Sequence, residues 1–300
     1  MTTRLRCASR LGAMIAIALT AATAFAQSLP LAPARDAGQS VTPAFEGWYL
    51  NRDGTLSLSF GYLNRNEREL VDIPVGPNNF ISPGNANQGQ PTFFAPRRHW
   101  GVFVVVVPAN FGDRSVVWTL IHRGDTVAIP GHLRPGWQID ALEGEAGSGN
   151  TPPQLRFEGG RAGAGPGGVT SGPITASVGT PLPVTVWASD DGNARTSVAG
   201  AGRGNATVSL MWFKHQGPGT VAFAPEAPAV ERTTGKATTT ATFSAPGRYV
   251  LRVRANDASG VAGAGHAQCC WTNGYVVVEV GGRGSGGGGG GGATNWRGIP

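Results

Sequence analysis

Short runs of alternating apolar and polar residues recur along this chain, and no long apolar pattern with helical period interrupts them. The clearest run is Thr239 to Asp257. Thr240, Thr242 and Ser244 alternate with Ala241, Phe243 and Ala245, and Ala245-Pro246-Gly247 then turns the chain. Beyond the turn, Tyr249, Leu251, Val253 and Ala255 share one face, with Arg248, Arg252 and Arg254 on the other. Period-two alternation on both sides of a Pro-Gly turn predicts a half-buried antiparallel hairpin. Nearer the N-terminus, Phe45 to Leu50 and Thr55 to Asn64 flank Asn51-Arg52-Asp53-Gly54, and Asp-Gly between such runs predicts a second hairpin. Further strands are expected at Leu70–Val75, Gly101–Val107, Val116–His122 and Thr126–Ile129. Val102 to Val107 is apolar without alternation, which predicts a central strand covered on both faces.

The fold class read from this pattern is all-β, with two β-sandwich-like domains. The first, residues 45–142, is a sandwich or small barrel with its own core. A linker spans 143–149, and the second domain spans 150–280 with strands including Pro183–Ala188, Val208–Phe213 and Tyr275–Val280. Residues 27–44 are polar, hold three prolines and are expected to be a flexible lead-in. Residues 281–300 form a Gly-rich tail with seven consecutive glycines, Gly286 to Gly292, expected to be disordered.

The first 26 residues change the picture from fold to location. Arg4, Arg6 and Arg10 precede an apolar run, Leu11 to Ala22, and Ala24-Phe25-Ala26 offers a cleavage site, so residues 1–26 read as a secretory signal peptide. The run is shorter than the ~20 residues of a spanning helix, and no other segment is long and apolar enough. The expected mature protein is therefore exported, periplasmic or extracellular, with no membrane span. Cleavage removes Arg4, Arg6 and Arg10 with no acid lost, taking the formal charge from +6 to +3. The remaining arginines are scattered rather than striped, which argues against nucleic-acid binding.

The order of motifs in the second half resembles the bacterial PKD-like and Ig-like repeats of secreted and surface proteins. The pieces are Asn150-Thr151-Pro152-Pro153, then Ser189-Asp190-Asp191-Gly192, then Trp212, then Gly217-Pro218-Gly219-Thr220-Val221-Ala222-Phe223. After them come Thr239 to Arg252 and Ala255-Asn256-Asp257. The resemblance covers roughly 150–280; no family is named for 45–142. It implies a β-sandwich used as a spacer or as a protein- or glycan-contact module. The chain departs from the pattern between Asp257 and Tyr275, where an insert carries His266, Cys269, Cys270 and Trp271.

Four groups of residues could carry chemistry. Cys269 and Cys270 are adjacent in a chain bound for an oxidising compartment, so they are read as a redox pair. A vicinal disulfide, two thiols in a loop, and a soft-metal site of Cys269 and Cys270 with His266, suited to copper(I) or zinc, are the three alternatives. A closed ring would be readily reduced and would present Trp271 at its rim. Asp190, Asp191 and Asp257, with Asn193 and Asn256, follow the second and sixth strands of a seven-strand sandwich. Those loops lie at one end and could hold calcium, or could simply be good turns. No cofactor is required by any motif. In the first domain Arg97, Arg98, His99 and Trp100, with Asn64 and Arg65, could contact glycan or protein, as could the dispersed aromatics Tyr49, Tyr62, Trp118 and Trp137. Catalysis finds little support: the five histidines lack paired metal spacing, and no nucleophile motif is present. The expected role is a non-catalytic binding or adhesion protein of the envelope or exterior, contacting glycan or protein. The alternative is a redox- or copper-handling envelope protein using the Cys269-Cys270 insert, and a secreted hydrolase is the third reading.

Overall fold

A computed structural model describes residues 35–142, 149–192, 208–257 and 268–282; the segment read as a signal peptide, His266 and the polyglycine run lie outside the described residues. The fold is all-β. Among the described residues no helix is long enough to cross a membrane, and one 3₁₀ turn, Pro135–Trp137, interrupts the strands.

The first half contains β1 (Val41–Leu50), β2 (Leu56–Asn64), β3 (Val71–Asp72), β4 (Asn79–Ser82), β5 (Phe93–Phe94), β6 (Arg97–Val107), β7 (Val116–His122) and β8 (Asp125–Gly131). The sheets β1-β2-β6 and β4-β7-β8 enclose a core of Phe45, Leu58, Phe60, Phe103, Trp118 and Leu120. The Asp53-Gly54 hairpin is present, with Asn51 and Thr55 closing it by a backbone hydrogen bond of 2.9 Å. Two expectations change here. Val41 to Ala44 belongs to β1 rather than to a flexible lead-in, because it pairs with Asn64 back to Gly61. β6 is an edge strand in its sheet, yet both its faces are covered: Phe103 and Val105 point into the main core, and Val104 packs with Tyr49 and Ile139.

The second half is Ig-like. β9 (Gln154–Arg156), β11 (Leu182–Ser189), β13 (Val221–Ala224) and β14 (Lys236–Phe243) form one sheet in the order β13-β14-β11-β9. β10 (Val169–Ser177), β12 (Ser209–Gln216), β15 (Gly247–Asn256) and β16 (Trp271–Gly281) form the other in the order β10-β16-β15-β12, with β10 parallel to β16. These are the two sheets of an immunoglobulin sandwich. The expected hairpin at Ala245–Gly247 is therefore a crossover: β14 and β15 lie in opposite sheets. Alternation persists because both strands turn their apolar residues into the same core, where Phe243, Tyr249, Leu251 and Val253 meet Trp212. The Tyr249 hydroxyl donates to the Ala245 carbonyl, 2.9 Å, and accepts from the Gly219 N–H, 3.0 Å, which pins the crossover. The last strand begins at Trp271 rather than Tyr275, since Trp271 to Gly274 pair with Asn256 back to Val253.

Candidate functional site at the seam between the two halves

The site is built by two irregularities in the first half. In the β1–β2 ladder Phe45 pairs with Phe60 and Gly47 with Ser59, so Glu46 is a bulged residue. In the β2–β6 ladder Phe60 pairs with Phe103 and Tyr62 with His99, leaving Gly61 opposite Trp100, Gly101 and Val102. Bulges re-aim side chains and release backbone groups from the ladder. Here the released group is the Gly101 carbonyl, which accepts from Trp271 Nε1–H at 3.2 Å and Asn273 Nδ2–H at 2.7 Å in the other half. Gly101 has φ +45°, and a Cβ there would stand 2.0 Å from Cζ2 of Trp271, so only glycine permits this approach. Gly61 is required likewise: a Cβ would lie 2.2 Å from Glu46 Oε1.

Around this contact the halves are stitched by buried polar bonds. Tyr275 donates its hydroxyl to Val102 O, 2.8 Å, and Gly167 N–H donates to the Tyr49 hydroxyl, 3.0 Å. Gln268 Nε2–H donates to Glu46 O, 2.9 Å. On β12, Lys214 Nζ is buried against Asp72 at 2.7 Å and Gly219 O at 2.8 Å, and the His215 ring meets Gly89 O at 2.7 Å. All of these described residues from Arg35 onward belong to one compact unit.

Arg98 and His99 from one of the candidate sites read from sequence, and the residue that precedes Cys269 and Cys270 from another, meet at this seam. Arg98 donates to Glu46 at 2.7 Å and lies over the Trp100 ring at 4.0 Å. Glu46 in turn accepts Gln268, which precedes Cys269 and Cys270. Burial pushes the Glu46 carboxyl up to about 7 despite the opposing pull of Arg98. His99 stacks on Tyr62 with centroids 4.9 Å apart, bonds Pro96 O and meets Phe213 edge-on. Burial, then the field of Arg252, presses His99 down to about 3, so it is neutral at ordinary pH. Asn64 is wholly buried, donates to Glu69 O and Phe94 O, and accepts from Asn66; these bonds build the strand end and leave it nothing for a ligand. Arg65 and Arg97 are exposed, and Arg97 pairs with Glu67 at 3.6 Å. Of the four dispersed aromatics, Tyr49, Tyr62 and Trp118 are core, while Trp137 is 46 % exposed and stacks on Phe45.

Cys269 and Cys270 are joined as a disulfide. Both are 0 % exposed, and in this form the pair offers a metal no thiolate. Trp271 is 1 % exposed: it fills the seam behind Gly101 rather than standing at an exposed rim. His266 lies outside the described residues. The loops after β11 and β15 do meet, as the sandwich topology predicts. Asn150 Nδ2–H donates to Asp257 at 2.7 Å, Thr151 donates to Asp191, and burial, then the nearby Asp257 and Asp191, holds the Asp190 carboxyl above its usual range. Among the described residues no three His, Cys, Asp or Glu side chains converge to hold a metal ion. Beside these loops is a cleft of about 710 Å³ lined by Gln154, Arg156, Trp187, Asp190, Glu231 and Arg232, where Arg156 covers the Trp187 ring at 4.6 Å.

Sequence reasoning passed over Phe213, Arg252, Arg254 and Asn273. Arg252 is 2 % exposed although it sits on the outer face of its sheet, because the first half covers that face. No signal local to β15 marks this; the covering residues lie 150 positions and more away in the chain.

No protein-family model and no curated protein matches the chain. Among solved structures, domains 4 and 5 of the S-layer protein SbsC are 13 % identical over 60 % of this chain and 70 % of that chain, with a TM-score of 0.24. The larger piece of SbsC with domains 4–9 is 12 % identical over 82 % of this chain, TM-score 0.25, and the chain spans only 31 % of its length. The D00-D0 domain of intimin is 15 % identical over 80 % of this chain and 99 % of that chain, TM-score 0.25. Likeness of this degree carries no argument about activity; the Ig-like assignment rests on the strand order described above.

Proposed function

We propose that this is an exported, non-catalytic binding or adhesion protein that contacts envelope or extracellular glycan or protein. The observation that carries the reading is an arginine–aromatic surface held on rigid strands at the seam. Arg98 lies over the Trp100 ring at 4.0 Å, Arg97 and Arg65 are exposed, and half-buried Phe213 meets His99 from the other half. Aromatic faces with arginine at their edges supply contact area at low conformational cost, and β-strand backbones hold them in place before a ligand arrives. Trp137, beside His132 and Arg134, is an exposed aromatic on the first half. The Ig-like half stiffens the arrangement by buried bonds at Gly101 and Val102 rather than by a flexible tether.

The test is capture from a cell-envelope extract and a polysaccharide panel by the full chain. Trp100→Ala with Arg97→Ala is expected to weaken retention by about tenfold or more, as truncation of aromatic and arginine anchors does. Retention unchanged in that variant and in Trp137→Ala would remove the reading.

A further inference from the structure

Among the described residues the seam holds two guanidinium groups, Arg252 and Arg254, that form no ion pair with a carboxylate. Arg252 and Arg254 are two residues apart on β15 and so point to the same face of the sheet. The ion pairs formed among the described residues involve Arg68, Arg97, Arg98, Arg123, Lys214 and Arg248; neither Arg252 nor Arg254 joins one. Arg252, almost wholly buried, donates one side-chain bond, Nη1–H to Asn273 Oδ1 at 3.1 Å. The buried Nε–H groups of Arg252 and Arg254 both find no acceptor among the described residues.

The surroundings do not compensate the charge. From the first half the cluster is faced by Tyr62, the neutral His99 and Arg98, whose guanidinium is already spent on Glu46. From β12 come Phe213 and the neutral His215, and from β16 Asn273 and Tyr275. Phe213 lies 4.5 Å from the Arg252 carbon Cζ and 6.0 Å from that of Arg254, so one ring serves both cations. A shared ring face offsets only a fraction of what it costs to desolvate a guanidinium. Buried charges in proteins are ordinarily paired, and a planar fork with free N–H groups matches a carboxylate or sulfate in two-point geometry.

We propose that Arg252 and Arg254 form an oxyanion-binding site at the seam, taking the carboxylate or sulfate group of a ligand between their free Nε–H and Nη–H donors. Asn273 orients the Arg252 fork, and Phe213 supplies the apolar wall. The site deepens the binding reading above by giving its ligand a negative charge. The group can arrive as a free anion or on an acidic polysaccharide, and the test separates the two.

The full chain is titrated with sodium sulfate and sodium acetate at constant ionic strength set by chloride, following Tm and the arginine Nε–H resonances. In parallel it is titrated with polygalacturonate and with a neutral dextran. The expected result is saturable stabilisation with shifts in the Arg252 and Arg254 Nε–H signals, and Kd at least about tenfold weaker in Arg254→Gln. Arg254→Lys, which keeps the charge but not the fork, falls between them. Arg252→Met is expected to fold and to lose the response. Saturation by polygalacturonate and not by the small anions assigns the group to a polymer; saturation by both assigns it to the anion itself. Stabilisation that never saturates, or that is equal in wild type and Arg254→Gln, overturns the site. The titration requires no envelope capture, so failed capture with intact anion binding removes the adhesion reading and leaves the site standing.

Discussion

Replacing Trp271 by alanine is expected to lower the unfolding free energy by about 3–5 kcal/mol, the cost of emptying a fully buried aromatic position. Trp271 is the largest single piece of the seam: 1 % exposed, bonded to Gly101 O, and packed where a Cβ on Gly101 would overlap it. Removing the ring also strands the Gly101 carbonyl with Asn273 as its remaining donor across the seam. Chemical denaturation measures the loss through the midpoint at constant slope. Gly101→Ala is expected to destabilise from the other side of the same contact, since both the positive φ and the 2.0 Å approach exclude a methyl group. A Trp271→Ala protein within about 1 kcal/mol of wild type would mean the seam collapses around the gap more completely than buried aromatic sites do.

Acid is the second expected perturbant, and the sign follows from three buried groups. His99 and His215 are pressed from 6.5 to about 3, by burial first and then by Arg252. The folded protein therefore holds both neutral, while the unfolded chain protonates them below pH 6.5. The unfolded state binds more protons between about 6.5 and 3, so stability is lost as pH falls through that window. By pH 5 the loss is roughly 2 kcal/mol per histidine as an upper figure. Glu46 acts the other way. Its carboxyl is raised from 4.5 to about 7, so the folded state binds the extra proton, and stability is gained as pH falls from about 7 towards 4.5. Two groups oppose one, and wild type is expected to lose on the order of 1–2 kcal/mol between pH 6.5 and 4.5, then to fall more steeply. Glu46→Gln removes the offset and is expected to fall further over the same interval; His215→Asn is expected to fall less. Thermal unfolding across pH checks all three, and identical slopes in the three proteins would contradict the assignment.

Local signals in the sequence reach as far as local physics does. Asp53-Gly54 marked the first hairpin because a tight turn between strands has its own chemistry, and Gly54 indeed takes φ +85°. The Ig-like strands were legible for the same reason, their inward residues alternating wherever the core lies. Ala245-Pro246-Gly247 misled because alternation looks the same whether a turn returns the chain to its own sheet or carries it across the core; only the partners β11 and β16 decide. Trp271 to Gly274 looked like an insert because Cys-Cys-Trp-Thr-Asn-Gly is poor strand sequence. It becomes strand by pairing with β15 and by docking on Gly101. Arg252 looked like solvent-facing charge for want of any local mark of the first half that covers it. Of the candidate contact residues, Arg65 and Arg97 are exposed and Arg98 and Trp100 half-buried, whereas Asn64 and His99 are used by the fold itself.

The seam makes the two β halves one cooperative body, and that fixes the contact surface and the arginine pair. Native-state hydrogen exchange tests it most directly. The slowest amides of β2 and β6 and those of β15 and β16 are expected to open with one common free energy, and Trp271→Ala to lower both sets together. Two separate opening free energies in the wild type, with only β15 and β16 responding to Trp271→Ala, would contradict it.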